Sequence, residues 1–351
     1  MALPFYGMQE AKITNGRDLH DVTIIGAGPT GLFAAYYAGF RGLRVKLIDS
    51  MPELGGQITA LYPEKYIYDV AGFPKVLGKE LVRNLVEQAL QYKPTICLDE
   101  KVQAFEPVGD RMIRLGTDRN THWTRTAFIT VGIGMFTPRK LPRADLARFE
   151  GKGLAYFVKS LEDYRDTDLL IVGGGDSAFD WCLNLEGITR STTLIHRRDR
   201  FRAFEDSVRK VMESRVRVKT FTELGTIEGA DRVEAAIVVN NRTKTEERLA
   251  VSRVLACLGF SSNLGALKSW GFAFEDDTIV VNTRGETGVP GVYAAGDVVA
   301  YPGKVKLIAT GFGEAATAIN NAAAYINPSL KVFPGHSSTL MDKPSAPETA
   351  D

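Results

Sequence analysis

The chain has few cysteines, no C-x-x-C pair and no long apolar run. Its 351 residues include 3 cysteines, Cys97, Cys182 and Cys257, all far apart. An odd, dispersed set argues against a disulfide framework, and each cysteine reads as a small buried hydrophobe. The expectation is a reduced, cytoplasmic protein. No stretch approaches ~18 apolar residues, so no membrane-spanning helix is expected. The first residues hold Glu10, Lys12, Arg17 and Asp18 and lack an apolar core, so they do not read as a signal peptide. An excess of one charge is also missing. Lys and Arg total 43 against 42 Asp and Glu, a net charge of +1. No global field points to nucleic acid or to an anionic membrane, and any basic patch must be local. What remains is an ordinary globular composition, 44% hydrophobic and 24% charged, on a chain too long for one core. Two domains are expected.

Glycine is plentiful and patterned. VTIIGAG (22–28) is an apolar run that ends in glycines, as a buried parallel strand does. PTGLFAAYYAGFRG (29–42) has helical spacing, with Pro29 in the first turn and Gly42 past the end. RVKLID (44–49) is the next strand, so the three make a βαβ unit. Its turn reads Gly26-x-Gly28-x-x-Gly31. Gly26 permits the tight turn, Gly28 lets a pyrophosphate reach the backbone, and Gly31 lets helix and strand pack closely. The helix N-terminus then offers free N–H groups and a positive dipole end. Asp49 stands 21 residues after Gly28, where an acid accepts hydrogen bonds from a ribose hydroxyl.

The unit recurs 147 residues later. DLLIVGG (168–174) reads as a strand, DSAFDWCLNLE (176–186) as a helix and STTLIH (191–196) as a strand. The turn is Gly173-x-Gly175-x-x-Ala178, so Asp176 and Ser177 open the helix. Here the position 21 residues after Gly175 is His196, followed by Arg197 and Arg198, with Arg200 and Arg202 close by. A carboxylate that would repel a 2′-phosphate is missing, and guanidinium groups stand in its place. The first site therefore suits a free adenosine ribose, and the second suits NADP over NAD. The competing reading, HRRDRFR as a solvated basic stretch, leaves the register match unexplained. A chain with two such sites is built to pass a hydride between a bound carrier, FAD, and NADPH.

Further segments narrow the reading. Residues 50–78 are rich in Gly, Pro and Tyr and read as a long irregular, functional stretch. KELVRNLVEQALQY (79–92) and AFEDSVRKVMES (203–214) read as helices, residues 216–258 alternate like strands, and a last helix begins near Gly311. With IIGAGPTGLFAAYYAG, GGQITALYPEKYIYDVAGFPK, GGGDSAFDW, IHRRDRFRA, YAAGDV and the late HSSTL, the chain resembles ferredoxin–NADP reductases of the thioredoxin-reductase-like type, within the two-dinucleotide flavoproteins. The region where thioredoxin reductases carry C-x-x-C reads YFVKSLEDYRD (156–166) here and has no cysteine. Without a dithiol there is no route for disulfide reduction.

The resemblance implies an α/β fold of two Rossmann-like three-layer dinucleotide-binding domains, one inserted in the other. The FAD domain would be 1–136 plus 263–351 and the NADP domain 137–262, with a disordered tail at 344–351. It implies that Thr30 meets the FAD pyrophosphate and that Gln57 lies near the flavin. Tyr62 would stack on one flavin face. Val102 would touch adenine, and Phe136 would lie at the crossover. Asp297 would bond a ribityl hydroxyl, and the helix after it would aim its N-terminus at the ring. His336 and Ser338 would cover the other flavin face, from the partner subunit of a homodimer. No acid or base is required, because the flavin does the chemistry. The electron acceptor would be ferredoxin or flavodoxin, docking on local basic surface at Arg197–Arg217 or at Lys304 and Lys306. The rival readings are a thioredoxin-like disulfide reductase, a diaphorase and a non-enzymatic nucleotide sensor.

Overall fold

The computed structural model describes residues 18–109 and 111–338. The first sheet runs in the order Thr95–Cys97, Val45–Ile48, Leu19–Ile25, Thr121–Ile129, Ile113–Thr117, Val102–Pro107. Its first four strands are parallel neighbours, as βαβ connections require. The long strand Thr121–Ile129 divides its partners. Its early part pairs antiparallel with Ile113–Thr117, and its last residues pair parallel with Val292–Ala294. The chain thus leaves this sheet, builds a second unit and returns to it.

Side-chain alternation builds the layers. Val22, Ile24, Leu47 and Phe128 face the helices Pro29–Phe40, Gly78–Leu90 and Ile308–Ile326. Ile25, Ala127 and Ile129 face the opposite side, with Leu267, Trp270 and Ile279. Ala34, Ala35 and Ala38 are fully buried, because small side chains let Pro29–Phe40 lie close to the sheet. Residues 50–78 are less irregular than their composition suggests. They contain a short helix, Gln57–Leu61, and a hairpin pairing Tyr66–Ile67 with Val76–Leu77.

The second unit has its own parallel sheet, in the order Leu154–Ala155, Arg253–Cys257, Asp168–Gly173, Ser191–Ile195, Arg217–Lys219. The helix Asp176–Leu185 covers it, and an antiparallel sheet of Thr222–Glu228, Ala235–Asn240 and Glu246–Ala250 is appended. Cores around Phe179 and Cys182 on one face and Phe149 and Leu170 on the other complete three layers. The two connections between the units pair with each other, Met135–Pro138 against Phe260–Asn263. Both crossovers therefore lie at one two-stranded ladder. The last helix starts at Ile308, three residues before the glycine that marked its expected start. Leu307 is extended, and only after it does the backbone turn helical.

The glycine turn is where packing is tightest. A Cβ on Gly31 would sit 1.9 Å from the Gly26 carbonyl oxygen. A Cβ on Gly28 would meet nothing within 4 Å. Gly31→Ala is expected to lower stability by about 1–3 kcal/mol, while Gly28→Ala stays close to the parent in the same urea titration. Equal stabilities of the two variants would contradict the close approach.

Candidate functional site

The first site is a cavity of about 490 Å3 along the C-terminal ends of the parallel strands. Gly26, Gly28, Thr30, Asp49, Gln57, Tyr62, Val102 and Asp297 all line it. Gly31 lies beneath it as a packing residue. The Gly28 backbone is extended and no side chain caps the helix that follows. The N–H groups of the first turn thus face open space, as an anion requires.

Asp49 has a wider task than holding a ribose. Its Oδ2 accepts the Ala27 N–H at 2.5 Å and its Oδ1 accepts the Met51 N–H at 2.8 Å. The acid therefore staples the glycine turn to the end of the next strand. Burial raises its pKa, and the backbone donors oppose that rise. Each oxygen keeps a lone pair for a hydroxyl. Thr30 is wedged in the returning chain, and a Cβ on Gly296 or Gly311 would fall 3.0 or 2.4 Å from its Oγ1. Gln57 opens the helix Gln57–Leu61 and lies against Gly132, whose Cβ would be 2.7 Å from Nε2. Tyr62 ends that helix. Burial, with Asp297 and Asp69 nearby, pushes its phenol up to about 12, so it remains a neutral ring.

Asp297 is delivered by the strand Val292–Ala294. Glu314 fixes the turn before it, accepting the Gly296 N–H at 2.8 Å and the Tyr301 hydroxyl at 2.6 Å, and pairing with Lys304. Asp297 has no hydrogen-bond partner among the described residues. Burial raises its pKa, with Lys304 and Lys306 opposing. A half-buried carboxylate facing a cavity without a partner fits a ligand hydroxyl.

Some lining residues carried no signal in the sequence. Glu100 is 4% exposed and accepts from the Thr117 hydroxyl and from His122 Nε2, both at 2.6 Å. His122 Nδ1 lies 3.0 Å from buried Lys46 Nζ. Cys97 joins Glu100 and His122 within 4.8 Å. Both ring nitrogens of His122 are already engaged, which leaves none for a metal ion. Conversely, His336 and Ser338 lie outside the cavity lining. Phe136 belongs to the linker ladder, opposite Ser262. His336 is exposed, its ring edge-on to Phe333 at 5.4 Å, and Ser338 is exposed beside it. The tail at 344–351 lies outside the described residues.

The second site is built on the later turn. Gly175 is extended and open, with no atom within 4 Å of a would-be Cβ, and no side chain caps the helix. Gly173 is needed for packing, because its Cβ would be 2.7 Å from the Cys257 oxygen. Ala178 is fully buried and Ser177 exposed. Two bonds strap the arginine segment to the turn. The Arg202 N–H donates to the Gly174 oxygen at 2.7 Å, and the Phe204 N–H donates to Asp176 Oδ1 at 2.8 Å. The Asp176 carboxylate thus straps the arginine segment to the turn.

His196 also supports the site from behind. Its ring fills the space over Gly174, where a Cβ would be 2.3 Å from Cε1, and its Nε2 lies 3.2 Å from the Arg200 oxygen. Burial lowers its pKa, the hydrogen bond to the Arg200 carbonyl opposes that, and the charges of Arg197, Arg198 and Arg202 lower it further. The imidazole facing a carbonyl is a wall for the loop. The cavity beside it, about 580 Å3, is lined by Arg198, Asp199, Arg200, Phe201, Arg202 and Phe221. Arg197 is not in that lining. Its carbonyl holds the Asn241 side chain at 2.9 Å. Among the described residues no ion pair involves Arg197, Arg198, Arg200 or Arg202, whereas Arg190 and Arg209 nearby are paired with Asp168 and Asp206.

Residues 20–322 match the family described as pyridine nucleotide-disulphide oxidoreductase. The chain belongs to that family. Over 324 residues it is 51% identical to the ferredoxin–NADP reductase of Halalkalibacterium halodurans, covering 92% of this chain and 98% of the relative. Over 330 residues it is 48% identical to that of Geobacillus thermodenitrificans, covering 94% and 99%. Among solved structures, the thioredoxin reductase of Lactococcus lactis in the FR conformation superposes with a TM-score of 0.72 at 24% identity, covering 89% of this chain and 100% of that one. The thioredoxin reductase of T. acidophilum gives the same score and identity, covering 89% and 99%. These two likenesses establish the fold: two dinucleotide-binding units with parallel sheets.

The guanidinium-lined cavity predicts a specific loss. Arg198→Ala and Arg202→Ala should each weaken 2′,5′-ADP binding by roughly tenfold or more, with 5′-ADP binding unchanged. Calorimetry with both nucleotides measures this, and equal losses for the two would contradict a 2′-phosphate role.

Proposed function

We propose that this protein is an FAD-containing ferredoxin–NADP reductase. The observation that carries the reading is the pairing of two open glycine turns with opposite surroundings. The first has Asp49 and Asp297 at a recessed cavity, and the second has guanidiniums with no ion-pair partner among the described residues. The homologous ferredoxin–NADP reductases, about half identical over nearly the whole chain, support the same activity. A bound FAD would supply two-electron hydride chemistry toward NADPH and one-electron chemistry toward an iron–sulfur or flavin carrier.

The chain's own residues bind and orient. The N–H groups after Gly28 hold a pyrophosphate, Asp49 a ribose and Asp297 a ribityl hydroxyl. Tyr62 presents a neutral ring to one flavin face. The start of the helix at Ile308 lines the same cavity, so its positive end favours a reduced, anionic ring. The N–H groups after Gly175 hold the NADPH pyrophosphate, and Arg198, Arg200 and Arg202 its 2′-phosphate. We assign 1–136 with 263–351 to the flavin domain and 137–262 to the nucleotide domain, on the strength of the linker ladder. A homodimer supplying His336 and Ser338 across its interface, and a cytoplasmic setting with free thiols, complete the reading.

Disulfide reduction is disfavoured by the thiols themselves. Burial pushes Cys97 up to about 11 and Cys257 up to about 12, and it raises Cys182 as well. Protonated thiols are poor nucleophiles. No helix among the described residues is long and apolar enough to cross a membrane.

A coupled assay tests the acceptor. NADPH with ferredoxin should support cytochrome reduction, faster at low salt than at high salt if Lys306 and the arginine surface steer an acidic carrier. NADPH with thioredoxin should give no disulfide reduction. Thioredoxin reduction, or a carrier rate that ignores ionic strength, would count against the reading.

A further inference from the structure

Among the described residues a single ion pair joins the two units. Lys65 Nζ lies 2.8 Å from Asp180 Oδ2, and the two side chains are 19% and 38% exposed. Lys65 Nζ also lies 5.2 Å from the ring of Trp181, which is 3% exposed. Both partners are tied closely to a cofactor cradle. The Lys65 N–H donates to the Tyr62 oxygen at 3.1 Å, and the Gly78 N–H donates to the Lys65 oxygen at 2.9 Å. Lys65 is thereby fixed to the aromatic that lines the first cavity and to the helix behind it. Asp180 lies little more than one turn into the helix Asp176–Leu185, which opens at Gly175.

The linker ladder alone does not set the angle between the units. Two paired strands at one place form a hinge. Beyond that hinge, the Lys65–Asp180 pair joins the helix Asp176–Leu185 to the loop that carries Tyr62. A contact that rests on a buried tryptophan and a half-buried carboxylate is less screened than a surface pair.

The geometry points to Lys65 and Asp180 as positioning residues that register the two dinucleotide sites for hydride transfer. This inference rests on the oxidoreductase reading above and adds to it which side chains fix the donor-to-acceptor approach. Neither residue touches the reacting atoms. The pair acts by holding Asp176–Leu185, and with it the pyrophosphate turn at Gly175, against the Tyr62 loop. A displacement of about 1 Å at the reacting centre is enough to cost much of a rate. Loss of the pair should therefore lower the rate of flavin reduction while leaving each cofactor's own binding intact.

The test uses the full chain loaded with FAD, mixed anaerobically with saturating NADPH, with bleaching of the flavin's visible band followed in a stopped-flow instrument. Lys65→Gln and Asp180→Asn should each slow bleaching by roughly tenfold or more. The NADP+ dissociation constant, measured by calorimetry, and the FAD content should be unchanged. Lys65→Arg, which keeps the charge, should retain most of the rate, and the exchanged pair Lys65→Asp with Asp180→Lys should recover part of it. Single variants that bleach at the parental rate or faster would overturn the inference. So would a loss confined to NADP+ affinity. If the parent protein itself is not bleached by NADPH, the oxidoreductase reading fails; if the parent is bleached and the variants match it, only the positioning role fails.

Discussion

The short parallel ladder between Val292–Ala294 and the end of Thr121–Ile129 is the constraint on which the first site depends. It returns the chain to a sheet it left more than a hundred residues earlier. The turn that follows it is the one that places Asp297 in the cavity opened by Gly26 and Gly28. Glu314 holds that turn from the last helix, and Thr30 fits between Gly296 and Gly311 to hold it from the first. The cavity walls thus come from both ends of the chain, so neither end could form the site alone. The second unit is carried on the two strands that meet at the linker ladder.

The two glycine turns obey the same sterics. Each has an open glycine beside glycine forced by backbone contact: Gly26 against Thr130 and Gly31 against Gly26 around an open Gly28, then Gly173 against Cys257 and an open Gly175. Their difference lies in what stands around the opening. At the first, Asp49 is consumed in part by backbone donors, which stiffens the turn. At the second, the supporting roles fall to His196 and Asp176, and the arginines have no carboxylate partner among the described residues. A site that discards its internal ion pairs leaves positive charge for an external anion.

Much of this was legible in the sequence. Both turns, their helices and the acid-for-arginine exchange follow from local spacing, because each depends on residues within one βαβ unit. The inner Gly174 was not legible as essential, since its reason is a ring brought over it from the next strand. The supporting contacts of His196 and Asp176 were not legible for the same cause: their partners, Arg200 and Phe204, sit on a loop whose path local pattern does not specify. Glu100 and His122 lie on different elements and give no joint signal. The helix start at Ile308 was missed because β-branched Ile308 and Thr310 are weak helix formers by propensity, and only packing against the first helix makes that turn helical. Phe136, His336 and Ser338 came from resemblance rather than spacing, and within one chain His336 and Ser338 are exposed and outside the cavity lining.

The account stands on a flavin site and a separate site that selects the 2′-phosphate, working as donor and acceptor to one another. Anaerobic mixing of the FAD-loaded protein with NADPH and, separately, with NADH at equal concentration tests this most directly. The account predicts fast bleaching of the flavin band by NADPH and much slower bleaching by NADH. Equal rates with the two coenzymes, or a flavin band that neither changes, would contradict it.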